Sequence, residues 1–239
     1  MIYFVSDIHL GHFSREKDKL LENIFIDFLD NIKHNCTKLF LLGDIFDYWF
    51  EYKNVIPSVF YRTLSKFSEL IDYGIEIEYL IGNHDFGHNK FFKNEFNIEI
   101  IKTDIIRTIN NKKIYLSHGD GKAYNDKKYL LIKKILRNKT CQTMYSKIHP
   151  DFGISLALKT SRKSREVTSK KNYGEKDGML DFAKQKINEG FDYVIMGHRH
   201  KAEIVNFKNG QYINLGEWFE KPSFATFDGS KVELIFIKK

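Results

Sequence analysis

Residues 80–89 read "LIGNHDFGHN": an apolar run passes without a spacer into an amide, an imidazole and a carboxylate, Asn83, His84 and Asp85. A buried strand gains nothing from such an ending unless the polar groups have work to do. Four other apolar runs end in the same way: "FVSDIH", "LFLLGD", "IYLSHGD" and "VIMGHRH". Between the first three lie helical patterns. Leu21, Phe25, Phe28 and Ile32 follow Ser14, a candidate N-cap, and Phe60, Leu64, Phe67 and Ile71 lie between Pro57 and Gly74. This alternation predicts βαβ units, and in sheets of that kind sites form at the carboxyl ends of the strands.

Beyond residue 100 the pattern turns strand-rich. "IEIIKTDIIRTI", an Asn110-Asn111 turn and "KKIYLSHGD" predict antiparallel pairing, and tight turns are expected at Asn209-Gly210 and Asp228-Gly229. The fold class expected is α/β with α+β character, two mixed sheets flanked by helices. The segment between Gly119 and Asp192 is too long for a simple crossover. Its helical patterns (Leu131, Ile132, Ile135 and Leu136; Met179, Ala183 and Ile187) predict a helical insertion over 121–190 within a single 1–239 domain. No repeat, low-complexity tract or domain linker interrupts the chain.

At 239 residues the chain can bury a large core, since cores stop growing only near about 250–300 residues. An apolar share of 42%, a charged share of 29% and three prolines argue against disorder and fibrous folds. Two cysteines, Cys36 and Cys141, make no disulfide framework and suggest a reducing compartment, with the cytoplasm as default. No apolar run is long enough to span a bilayer. The net charge of +7 suits an anionic partner without choosing one.

The strand ends deliver Asp7, His9, Asp44, Asn83, His84, His118, His198 and His200. Imidazole, carboxylate and amide oxygen together, without cysteine, suit a catalytic transition-metal site better than a structural zinc knot. Eight such groups exceed the needs of one ion and match a two-metal centre for attack at phosphorus. Any one of these histidines alone is most simply a polar cap on a strand. The ordered set of five is not. His12 and His88 adjoin the first and third motifs and are candidates for touching substrate; His34 and His149 have no motif place.

In order, Asp7-Ile8-His9, Gly43-Asp44-Ile45-Phe46-Asp47, Gly82-Asn83-His84-Asp85, the isolated His118 and Gly197-His198-Arg199-His200 resemble the motifs of the calcineurin-like metallophosphoesterases. The resemblance implies a βα sandwich of two mixed sheets. It also implies that Asp7, His9 and His200 hold one divalent ion, Asn83, His118 and His198 the other, and that Asp44 bridges them. A hydroxide between the ions would be the nucleophile. His84 would meet charge on the phosphate or leaving group, oriented by Asp85, with Asp47 also behind the ligands.

"GDIFDYW", "GNHDF", "HGDGKAYND" and "NLGEWFEKPSFATFDG" narrow the resemblance to the UDP-2,3-diacylglucosamine pyrophosphohydrolases of lipid A synthesis. That family implies cleavage of UDP-2,3-diacylglucosamine at the α-phosphorus to UMP and 2,3-diacylglucosamine 1-phosphate, with Mn²⁺ as the usual metal. It implies a helical lid for the acyl chains, lined by residues such as Leu131, Ile135, Phe152, Ile154, Leu156 and Leu158. Asn83, His84, Asp126, Ser164, Thr168, Lys171 and His198 would contact substrate. A cytoplasmic protein docked peripherally on the inner face of the membrane follows from the same resemblance. No nucleic acid partner is expected, because the basic residues cluster in the insertion and do not line a groove with aromatic stacking positions. Two departures stand out: many members carry arginine at the position of His84, and some carry glutamate at that of Asp47. Another phosphodiester or nucleotide pyrophosphate as substrate, and an inactive scaffold of the same fold, are the alternative readings.

Overall fold

The computed structural model describes residues 1–122, 124, 127–169 and 177–238, with backbone alone at 127–129 and 162–169. The strands are β1 (Ile2–Val5), β2 (Lys38–Leu42), β3 (Glu76–Leu80), β4 (Ile100–Ile101), β5 (Ile105–Ile109), β6 (Lys112–Ser117), β7 (Tyr193–Met196), β8 (Glu203–Phe207), β9 (Gly210–Asn214), β10 (Ser223–Phe227) and β11 (Val232–Phe236). The helices are α1 (Arg15–Ile32), α2 (Tyr61–Asp72), α3 (Phe91–Phe96), α4 (Lys127–Leu136), α5 (Lys139–Tyr145), α6 (Pro150–Ser169) and α7 (Gly178–Asn188). One sheet runs β11-β10-β1-β2-β3-β4 and the other β5-β6-β7-β9-β8. Both are mixed: β1 to β4 are parallel with β10 and β11 antiparallel at one side, and β6, β7 and β9 are parallel with antiparallel β5 and β8 at the edges.

The apolar strands are explained by burial on both faces. Phe4, Phe40, Leu42 and Leu80 point from the first sheet toward Ile114, Leu116, Ile195 and Ile213 of the second. Tyr3, Val5, Leu39, Leu41, Ile77 and Tyr79 point the other way, under Leu21, Phe25 and Phe28 of α1 and Leu64 and Phe67 of α2. At roughly 1.5–3 kcal/mol for each large apolar side chain buried, this double-sided core fixes the strand register and hence the direction in which each strand end points.

Two expectations shift. Gly210 is the first residue of β9, opposite Phe207, so Lys208 and Asn209 make the turn. A Cβ on Gly210 would lie 2.6 Å from the Asp192 carbonyl oxygen, so this glycine serves close approach to the chain entering β7. The segment 121–190 also divides. Met179, Ala183 and Ile187 of α7 are buried with Tyr115, Val194, Met196 and Tyr212, which makes α7 the outer layer of the second sheet and the crossover from β6 to β7. In contrast, Leu131, Ile132 and Ile135 of α4 and Phe152 and Leu156 of α6 are exposed.

Candidate metal centre

The loops leaving β1 and β2 remain stitched beyond the strands: the amides of Asp7, His9 and Leu10 donate to the carbonyls of Gly43, Asp44 and Ile45 at 3.1, 2.9 and 3.0 Å. Asp7, His9, Asp44, His198 and His200 all have φ between 54° and 68°, a region ordinary residues avoid. Two glycines let these loops close. A Cβ on Gly82 would lie 2.0 Å from Asp44 Oδ1, and one on Gly197 would lie 2.2 Å from Asp7 Oδ2.

The structure brings the expected ligands together. His9 Nε2 lies 3.2 Å from His200 Nε2 and 3.6 Å from Asp7 Oδ1, and His200 Nε2 is 3.4 Å from the same carboxylate oxygen. On the other side His118 Nε2 is 3.0 Å from Asn83 Oδ1 and 3.3 Å from Asp44 Oδ2, while Asp44 Oδ2 also lies 3.7 Å from His9 Nε2. The His198 ring stands 5.1 Å from that of His118. Two atoms that each sit about 2.1 Å from one ion at a right or tetrahedral angle are roughly 3.0–3.4 Å apart, so most of these spacings fit shared coordination. Asp7 Oδ1 is buried and accepts no hydrogen bond among the described residues, which suits an oxygen meant for a cation.

The far sides of His118, His9, Asp7 and Asp44 are held by neighbours. His118 Nδ1 donates to the Leu42 carbonyl at 2.8 Å, leaving Nε2 to face the centre, and His9 Nδ1 faces Asp47 Oδ1 at 3.3 Å. Asp7 Oδ2 accepts from Ser6 Oγ at 2.6 Å and from the His198 amide at 2.8 Å; Asp44 Oδ1 accepts from the His84 amide at 2.8 Å. Burial works against charge on Asp7 and Asp44, yet the surrounding imidazoles hold both well below the usual carboxylate range. Burial would likewise depress His118, but Asp44, Asp7 and Asp120 outweigh it and push its pKa up to about 10. His198, buried and beside His118, is pushed down to about 4. The carboxylates thus demand positive charge at their centre. A proton on His118 is one way to supply it, and divalent cations are another.

Asp85 does not orient His84. Its carboxylate accepts from the Ile45 and Gly82 amides at 2.9 and 2.7 Å and from Tyr79 Oη at 2.5 Å, pinning the second and third loops together. Burial and the nearby Asp44 push Asp85 up to about 6. The group at His84 Nδ1 is Ser161 of α6, at 3.1 Å, whose hydroxyl donates to Asp47 Oδ2, also at 3.1 Å. Nothing in the spacing of the α6 sequence singles out Ser161. Phe219 has no motif place either, yet its ring lies 5.6 Å from that of His9, 6.2 Å from that of His200 and 5.2 Å from that of His12. His12 lies 3.8 Å from Asp47, at the rim, whereas His88 is enclosed by Trp49, Tyr79 and Phe92, 3.7 Å from Glu51, in a packing role. Asp126 and Lys171 lie outside the described residues, as do the side chains of Ser164 and Thr168.

A two-sheet sandwich with strand-end carboxylates and imidazoles at ligand spacing defines a metallophosphoesterase. The family model for calcineurin-like phosphoesterases matches residues 1–202, and the chain belongs to that family of hydrolases. A protein of Porphyromonas gingivalis named UDP-2,3-diacylglucosamine hydrolase is 31% identical over 251 residues, covering 98% of this chain and 96% of its own. One of the same name from Haemophilus influenzae is 29% identical over 220 residues, covering 90% of each. Among solved structures, an archaeal phosphodiesterase matches with a TM-score of 0.49 at 15% identity, covering 99% of each chain.

Proposed function

We propose that this protein hydrolyses the pyrophosphate bond of UDP-2,3-diacylglucosamine, releasing UMP and 2,3-diacylglucosamine 1-phosphate, with two divalent cations, Mn²⁺ foremost. The observation that carries the reading is the convergence of five strand ends on one cluster with ligand spacing, in a chain whose relatives of matching length bear that name. Asp7, His9 and His200 would hold one ion, Asn83, His118 and His198 the other, and Asp44, within reach of His9 and His118, both. Such ions, when bound, lower the pKa of water toward neutrality and draw in phosphate charge.

The remaining chemistry belongs to the chain. His84, partly exposed at the mouth, donates from Nδ1 to Ser161 Oγ, whose own proton goes to Asp47, and as the imidazolium it would donate from Nε2 to a phosphate oxygen. Asp47 accepts from Ser161 and faces His9, so it links the mouth to the ligands behind it. The exposed apolar side chains of α4 and α6 form the lid that receives acyl chains, and the lysines beside them favour peripheral docking on an anionic inner membrane face. No described helix is long and apolar enough to cross a membrane. Asp126, Ser164, Thr168 and Lys171 are assigned to substrate by sequence position.

The test is hydrolysis of UDP-2,3-diacylglucosamine by Mn²⁺-loaded protein in ¹⁸O water, beside deacylated UDP-glucosamine, cyclic nucleotides and single-stranded DNA. Turnover of the acylated substrate with label in UMP is expected. Turnover of another substrate with the acylated one untouched overturns the assignment.

A further inference from the structure

A cavity of about 310 Å³ opens beside His118, and the proposed function gives it no role, although α4 supplies part of its wall. Lys102 and Asp104 reach it from the link between β4 and β5, Asp120 and Lys122 from the loop after β6, and Lys133 and Arg137 from α4 and its end. Lys122 pairs with Asp104 at 2.7 Å, a carboxylate that Tyr115 Oη and Ser117 Oγ also satisfy at 2.6 Å each, and Lys133 pairs with Asp120 at 2.7 Å. Arg137 lies 3.4 Å from Asp120 and donates to the Gly82 carbonyl at 2.9 Å, which braces its guanidinium against the loop carrying Asn83. Four cations face two carboxylates, so the cavity keeps a surplus of two positive charges next to the metal ligands.

Its chemistry is not that of an acyl pocket, because among the described residues Leu80 and Ile81 supply its only aliphatic side chains. It is also too roomy for a lone phosphate: small-molecule sites begin near about 300 Å³. Braced cations suit phosphate oxygens and the carbonyl oxygens of a pyrimidine, and a carboxylate is the usual partner of a ribose diol. We propose that this cavity holds the nucleoside 5′-phosphate half of the substrate, ribose toward Asp120 and phosphate toward His118. The inference rests on the proposed function, whose lipid half lies under α4 and α6.

Titration of full-length protein with UMP, by calorimetry, with and without Mn²⁺, tests it. Lys133→Ala and Arg137→Ala should each weaken UMP binding about tenfold, the usual worth of one charge-assisted contact. Inhibition by 2,3-diacylglucosamine 1-phosphate should change less than about twofold. Lys102→Ala, on an exposed link, gives an independent reading should Arg137→Ala fail to fold. UMP affinity unchanged in the folded variants overturns the proposal, as does inorganic phosphate binding as tightly as UMP. If UDP-2,3-diacylglucosamine is not hydrolysed but UMP binding still depends on these residues, the cavity assignment stands and the lipid assignment falls.

Discussion

Replacing Gly82 by alanine adds one methyl group, and the geometry says where it must go. The new Cβ would lie 2.0 Å from Asp44 Oδ1, 2.5 Å from the Asp44 amide nitrogen and 2.6 Å from Asp44 Cγ. Side-chain carbons do not approach closer than 3.0 Å, so the carboxylate must retreat by at least about 1 Å or the loop must open. Either movement breaks the 2.8 Å bond from the His84 amide and takes Oδ2 away from His118, now 3.3 Å distant. A displacement of about 1 Å in a catalytic group costs on the order of 10²-fold in rate. Gly82→Ala should therefore lose about two orders of magnitude in kcat and a substantial part of its bound metal, measured by turnover and by elemental analysis. Gly190→Ala is the control: it has φ of +95° but open space around it, so it should cost about 1 kcal/mol of stability and leave the centre alone. Full metal content and near-normal turnover in Gly82→Ala would refute the claim that Asp44 serves both ions.

Asp85→Asn should lower stability by roughly 2–4 kcal/mol, because an amide placed against three donors leaves buried groups unpaired; unaltered melting with lost activity would instead restore the pairing with His84. Ser161→Ala should reduce kcat about tenfold with metal content unchanged, and equal kcat would return Ser161 to a packing role. Without metal, His118 has its pKa raised from 6.5 to about 10, so the stability it contributes is fully present below 6.5 and is lost as pH rises through about 10. Because a bound imidazole must be neutral, Mn²⁺ binding should expel that proton and strengthen with pH over the same window; calorimetry in buffers of different ionisation enthalpy reads the release, and its absence would count against His118 as a ligand.

The strand ends could be read from the chain because a parallel strand buried on both faces leaves polar residues only one place to be, just past its carboxyl end. Asp7, Asp44 and Asn83 each come just past an apolar run, and their meeting needs only that the runs pair in parallel, as β1, β2 and β3 do; His118 follows β6 of the other sheet and joins them because the two sheets pack face to face. What was not legible depends on contacts between distant segments. The spacing of Met179, Ala183 and Ile187 defines an apolar stripe but not what covers it, so α7 could not be separated from the insertion. Ser161 reaches His84 across 77 residues, and the cations beside His118 come from three elements with no common pattern. Asp85 adjoins His84 in sequence, yet the loop sends the two side chains apart, one toward Tyr79 and one toward Ser161.

The backbone itself carries a further sign of what the centre is for. Among the described residues eight non-glycine residues have positive φ: Asn97 ends α3 and Asn110 and Asn111 form the turn between β5 and β6, where asparagine is at home. The other five are Asp7, His9, Asp44, His198 and His200, all at the centre. A left-handed step costs an L-residue roughly 1–2 kcal/mol, and all five of these residues are Asp or His, side chains that tolerate it better than most. A chain that needed only to leave its sheet would place glycine at such steps, as it does at Gly43 and Gly119. Here the steps fall instead at carboxylate and imidazole residues that gather round two buried aspartates, Asp7 and Asp44. A cation bound between the side chains would offset the gathered negative charge, and the expected outcome is a melting temperature that rises on adding Mn²⁺; no change would count against these residues as ligands.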